Sequence, residues 1–153
     1  MLAPQKNQEE NLKNFDTGRW ELADGVEIKE DTFGFVYEII NLVDKKHYIG
    51  KKQCFSKKRK KPLKGKKRAR LSVEESDWKT YVSSSNQLQA DIKRLGIENF
   101  RFIILHACRS KWELAYKELV EQIQNEVIFR EDYYNGILNV RIPKAPSYLR
   151  KTF

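Results

Sequence analysis

The chain is predicted to fold as one α/β (α+β) domain: a small three-stranded sheet of antiparallel type flanked by helices. Three observations predict it. Two short β-branched and aromatic runs, 34–40 and 47–50, stand on either side of a polar turn. Two later segments, opening near Ser84 and Ser110, repeat apolar residues at helical spacing, and the apolar run 100–105 lies between them. The 153 residues are enough to bury a core without metal or disulfide support. Cys54 and Cys108 have no partner spacing, so neither zinc nor a disulfide framework is implied.

Taken in order, residues 1–32 hold eight acidic residues against four basic ones and show no sustained periodicity. They read as an acidic N-terminal arm whose second half lies on the core through Trp20, Leu22, Val26 and Ile28. The folded domain runs from 33 to 142. Asn41 and Asp44 supply turn chemistry between the first two strands, which makes a β-hairpin. Tyr37 and Tyr48 are eleven residues apart, an odd separation that permits direct pairing and puts both phenols on one face. Ser84 and Gln87 have capping-box spacing, Leu88, Ile92 and Leu95 follow at helical intervals, and Gly96 supplies the stop. The run 100–105 is a third strand. A long helix then spans about 110–125, with Trp112, Ala115, Tyr116, Leu119 and Ile123 along one face. At about 100° per residue, Glu118 falls at the margin of that stripe and Glu121 nearly opposite it, so Glu118 is placed to look into a cleft at the sheet's edge. Asp132-Tyr133-Tyr134-Asn135-Gly136 is a turn signal before a short apolar run. Residues 143–153 are a basic tail, continuing from Arg141 with Lys144, Arg150 and Lys151.

Charge narrows the function classes. The formal charge is +9, but residues 51–70 carry twelve Lys or Arg and no acid, which leaves −3 for the rest. A run that dense between a strand and a helix repels itself unless an anion neutralises it. Lys51, Lys52, Lys57, Lys58, Lys60, Lys61, Lys64, Lys66, Lys67, Arg68 and Arg70 are therefore candidate nucleic-acid contacts. A membrane surface fits less well, because the segment contains Pro62 and Gly65 and no amphipathic helix accompanies it. The N-terminus lacks the apolar run of a signal peptide, and no stretch approaches the roughly 20 apolar residues that span a bilayer. The expectation is a cytoplasmic protein.

At Gly34-Phe35-Val36-Tyr37 and Tyr48-Ile49-Gly50 the sequence resembles the GIY-YIG nuclease family, with Phe35 where the usual glycine stands. The order continues with Trp78-Lys79-Thr80-Tyr81, Ser83-Ser84-Ser85, and Gly96-Ile97-Glu98-Asn99-Phe100. Lys51-Lys52-Gln53 and Tyr133-Tyr134-Asn135-Gly136 look most like the SegE-like phage endonucleases. The resemblance covers about residues 33–142. It implies a Mg²⁺-dependent (or Mn²⁺-dependent) endonuclease acting on double-stranded DNA in a phage-infected bacterium, a free-standing homing enzyme. The alternative is a non-catalytic nucleic-acid-binding protein that keeps the fold.

The chemistry can also be argued from the residues. Hydrolysing a phosphodiester requires a deprotonated nucleophile, neutralised phosphoryl oxygens and a stabilised leaving oxygen. Tyr48 is the candidate general base: a free phenol ionises near pH ~10, so it needs cations beside it, and His47, Lys51 and Lys52 adjoin it. Tyr37 would position water or phosphate. Glu118 is the candidate ligand of a single metal ion, with Glu121 and Glu113 as rivals. Asn135 either hydrogen-bonds near the metal, or holds the helix end, or is a turn residue. The family's arginine, about ten residues after the second tyrosine, falls among Lys57, Lys58 and Arg59, and Arg59 is the positional candidate. Dimerisation on DNA would let one site per chain make a double-strand break.

Overall fold

The computed structural model describes residues 15–138 and 141–152. The first part of the acidic arm, Asn139 and Val140 of the closing apolar run, and Phe153 lie outside the described residues. The elements in order are β1 (Glu21–Leu22), β2 (Gly34–Asn41), β3 (Lys46–Gln53), β4 (Phe55–Lys60), β5 (Arg70–Glu75), α1 (Asn86–Leu95), β6 (Phe100–Cys108) and α2 (Lys111–Gln124).

The hairpin forms where turn chemistry demands it. Asn41 is fully buried; its Oδ1 accepts from the backbone N–H groups of Val43 and Asp44, closing the β2–β3 turn. β6 pairs antiparallel with the other side of β2, and β1 adds to β6 in parallel, giving a four-stranded sheet ordered β1-β6-β2-β3. The expected three strands are thus joined by a two-residue strand from the arm. The arm segment holds because Trp20, only 3% exposed, donates its indole N–H to the Trp78 carbonyl and packs edge-on against Phe35 and Phe102.

Alternation divides the core into two. Phe35, Tyr37 and Ile39 point to one face with Trp20, Trp78, Leu88, Phe102 and Ile104; Val36 and Ile49 point to the other with Cys108, Leu114 and Val127. A bulge in β6 between the partners of Val36 and Tyr37 leaves Leu105 over. That extra residue resets the alternation, so Phe102 and Ile104 stay on the α1 side while His106 and Cys108 turn to the α2 side.

Three expectations need correction. α1 is capped by Ser85, whose Oγ accepts from Leu88 N–H, one residue beyond the expected Ser84. The basic segment 51–70, expected only as a cationic run between a strand and a helix, is built into strands: β4 and β5 form a separate two-stranded antiparallel ribbon, from Phe55 opposite Glu75 to Lys60 opposite Arg70. The α2 face is also different. Leu114 and Gln122 are buried against the sheet with Glu118 and Glu121 beside them, while Tyr116 and Ile123 of the expected apolar stripe are 44% and 55% exposed. The reason is polar. The sheet's underside offers His106, Lys51 and the Ile49 carbonyl, and the polar edge of α2 meets those partners. The Trp112 indole instead donates to the Pro143 carbonyl on the outer side.

Candidate active site

β3 is an outermost strand, and the candidate site is built along it. Tyr37 lies opposite Gly50 and Tyr48 opposite Ile39, so the two tyrosines are diagonal neighbours and not direct partners. They still share a face, with ring centroids 6.1 Å apart. Gly50 makes that approach feasible: a Cβ there would stand 2.6 Å from the Tyr37 hydroxyl and 2.8 Å from Tyr48 Cε1.

The environments of the phenols differ. Tyr37 is 1% exposed, and burial, followed by the neighbouring Tyr48 and Tyr81, holds its phenol well above the ordinary value, so it stays protonated. It is closed in by the Tyr81 ring at 6.1 Å and by the hydroxyl of Ser83, a buried residue whose φ of 95° is strained for a side chain with a Cβ. Tyr48 is only half-buried. On the same face, Lys52 lies 2.6 Å from Asp77 and 4.1 Å from the centre of the Tyr81 ring.

Glu118 approaches from the other face. Its Oε1 is 3.5 Å from Lys51 Nζ, and its side chain is 15% exposed. Burial pushes its carboxyl above the ordinary range, with Lys51 partly offsetting that. The rivals are engaged elsewhere: Glu121 bonds to His106 Nε2 at 2.6 Å, and Glu113 accepts the Arg109 N–H in the first turn of α2. Among the described residues no three His, Cys, Asp or Glu side chains gather as a metal cage. A lone, partly buried carboxylate fits an ion that keeps most of its waters, as Mg²⁺ does.

The outer edge of β3 is covered by the closing segment. His47 exchanges backbone bonds with Asp132 and Tyr134, its ring stacks on Tyr133, and its Nδ1 lies 2.7 Å from Glu38. Asn135 pairs its amide with both the N–H and the C=O of Ile49, at 3.0 and 2.8 Å, and Gln122 adds a second bond to that carbonyl. Asn135 is thus a clamp on the backbone between Tyr48 and Gly50.

Arg59 is not brought to this place. It stands in the exposed ribbon, about 13 Å beyond Phe55 at roughly 3.3 Å per residue. Lys57, Lys58 and Lys60 share that strand, Arg70 begins β5, and Lys61, Lys64, Lys66, Lys67 and Arg68 lie in the connecting loop, all exposed. Lys51 and Lys52 flank the tyrosine strand on its two faces. Sequence reasoning did not assign Tyr81, Ser83 or Gln122 to the site. The first two stand in the run 78–85 that already carried the resemblance; Gln122 could be found only by knowing which face of α2 meets the sheet.

The model of the family described as "Putative endonuclease segE, GIY-YIG domain" matches residues 20–138. The chain belongs to this SegE-type GIY-YIG family. Among its relatives is "Putative endonuclease segD" of Enterobacteria phage T4, 28% identical over 106 residues that cover 69% of this chain and 38% of that protein. The chain therefore matches less than half of that relative's length. No solved structure gives a significant match. The SegE-type match begins at Trp20, the arm residue that the structure places in the core. Among the described residues no helix is long and apolar enough to cross a membrane.

Proposed function

We propose that this SegE-type domain is a Mg²⁺-dependent (or Mn²⁺-dependent) endonuclease that hydrolyses phosphodiester bonds in double-stranded DNA, acting as a free-standing phage homing enzyme in the cytoplasm of an infected bacterium. One observation carries the reading: at the rim of the sheet a single strand, β3, bears the half-buried Tyr48 on one face and the Lys51–Glu118 pair on the other, beside a ribbon of exposed cations. A DNA backbone crossing β3 at Lys51 and Lys52, beyond the 47–49 stretch that the closing segment covers, would meet both.

In this reading Tyr48 takes the proton from the attacking water. Tyr37, buried and protonated, packs and orients Tyr48 and does not touch substrate. Lys51 neutralises a phosphoryl oxygen. Glu118 would hold the Mg²⁺ ion, which when bound supplies charge neutralisation at the phosphate and the leaving oxygen. Asn135 and Gln122 position the site through the Ile49 backbone. One such site cuts one strand, so a double-strand break calls for two copies on DNA.

A second reading, a non-catalytic nucleic-acid-binding domain, draws on the placement of the tyrosines and Glu118 on opposite faces. Plasmid nicking with and without Mg²⁺ decides between them. Glu118→Gln should abolish cleavage and leave DNA binding intact, and Tyr48→Phe should slow cleavage by about 10²–10⁴-fold. A raised carboxyl favours the fold only at low pH, where it is protonated, and that contribution is lost as pH rises through its folded value. Glu118→Gln should therefore melt no lower than wild type at pH 7. Full cleavage by Glu118→Gln or in excess chelator overturns the metal-ligand role of Glu118, full cleavage by Tyr48→Phe overturns the general base, and no nicking by the wild type with Mg²⁺ or Mn²⁺ overturns the endonuclease reading.

A further inference from the structure

We infer that the β4–β5 ribbon is the sequence-reading element of this domain, inserting into the DNA major groove with the face that carries Lys57, Arg59, Leu71 and Val73 toward the base edges. The inference rests on the DNA reading above and goes beyond its phosphate contacts.

The two faces of the ribbon are chemically different. Directly opposite residues share a face, so Lys58 and Lys60 lie with Ser72, Arg70 and Glu74. Glu74 ties Lys58 at 2.9 Å and Lys60 at 3.2 Å. The other face holds Lys57 opposite Val73 and Arg59 opposite Leu71. Its two cations make no ion pair among the described residues, and its two apolar side chains are exposed at 72% for Leu71 and 65% for Val73. A purely phosphate-binding surface has no use for exposed Leu and Val, whereas a base-reading surface does. The major groove admits a two-stranded ribbon, Arg and Lys match the acceptors of guanine, and apolar side chains meet the thymine methyl.

The placement agrees. Lys57 and Val73 line a cleft of about 510 Å³ whose other wall carries Arg109 and Lys111 at the start of α2. Glu118 lies on the same helix, about 10 Å further along its axis at 1.5 Å per residue. A duplex held by the ribbon would thus run past the candidate metal ligand, with Arg109 and Lys111 on its backbone. The loop lysines, Lys64, Lys66 and Lys67, would meet phosphates only.

The test is selection of bound duplexes from a random-sequence pool by the Glu118→Gln protein, so that binding is read without cleavage. The wild-type ribbon should enrich a preferred sequence. Arg59→Ala and Lys57→Ala should each relax that preference about tenfold or more at particular positions, while Lys64, Lys66 and Lys67 changed together to Gln should weaken binding equally on all sequences and lower the salt slope by about 0.9 per lost contact. All five side chains are exposed, so unchanged melting temperatures should accompany these effects. Binding without enrichment, or enrichment untouched by Arg59→Ala and Lys57→Ala, overturns the inference and leaves the endonuclease standing. Enrichment by a protein whose wild type never nicks DNA overturns the endonuclease and leaves the ribbon's role. Failure to bind duplex DNA, or preference for RNA or single strands, overturns both.

Discussion

A side chain at position 50 has nowhere to go. An alanine Cβ would press on the Tyr37 hydroxyl, the Tyr37 ring at 2.8 Å and the Tyr48 ring at once, and the first two are fixed inside the core. Overpacking of this kind typically costs about 1–3 kcal/mol. Gly50→Ala should therefore lower stability by that amount in urea unfolding, and should slow cleavage even where the protein is fully folded, because the Tyr48 ring is displaced with Tyr37. Wild-type cleavage by a folded Gly50→Ala protein would mean that the tyrosine pair tolerates rearrangement. At this scale much was legible. Tyr37 and Tyr48 stood out because a strand motif fixes residue types at short range, whereas Glu118 was singled out from a stripe that does not face the sheet, and it meets Lys51 because the polar side of α2 does. That Tyr37 is sealed while Tyr48 is open was not legible, since Trp20 and Tyr81, which close the lid, come from segments far away in the chain. Nor was the role of Asn135: Asn-Gly signals a turn wherever it occurs, and only the tertiary fold shows Ile49 beneath it.

Among the elements, β3 depends on side chains for what a neighbouring strand would otherwise supply. Asn135→Ala would leave the Ile49 N–H without a partner and its carbonyl with Gln122 alone. An unsatisfied buried donor costs about 1–3 kcal/mol. The variant should lose that much stability, and the Ile49 amide should exchange with solvent faster in hydrogen-exchange measurements. Unchanged exchange there would show that the clamp contributes nothing. The β2–β3 hairpin, β6 and both helices were legible, since each has its own period and stop signals. The ribbon was not. Lysine disfavours strands, and the alternation of Leu71, Ser72 and Val73 is too short to outweigh twelve cations. The facing of α2 was misread because a wheel assumes that the most apolar stripe seeks the sheet, whereas this sheet presents His106 and Lys51.

At the scale of the molecule, a polar network ties the hairpin turn, α1 and the closing segment together. Tyr134 donates to Asp91 of α1 at 2.7 Å and accepts from Asn41 of the hairpin turn, while Arg94 of α1 reaches Asp44 at 2.7 Å and Asp91 at 3.1 Å. The Tyr134 bond, then Arg94, holds the Asp91 carboxyl below the ordinary range. A depressed carboxyl contributes stability above its unfolded value of about 4, and loses it as pH falls through the folded value. Asp91→Asn should thus be less stable than wild type at pH 7, with the gap closing as both are acidified. A gap independent of pH would mean that the charge of Asp91 is not what the network uses. The ribbon, by contrast, hangs outside this network. Its ends meet at Ser76, whose N–H bonds to the Cys54 carbonyl at 2.8 Å and whose hydroxyl donates to the Gln53 carbonyl at 2.6 Å, and its strands form a sheet of their own. Removing residues 55–75 would leave two chain ends already side by side. A segment attached in that way can be replaced by a short turn, so a chain lacking residues 55–75 should keep the four-stranded sheet, with the tyrosine strand and its clamp in place.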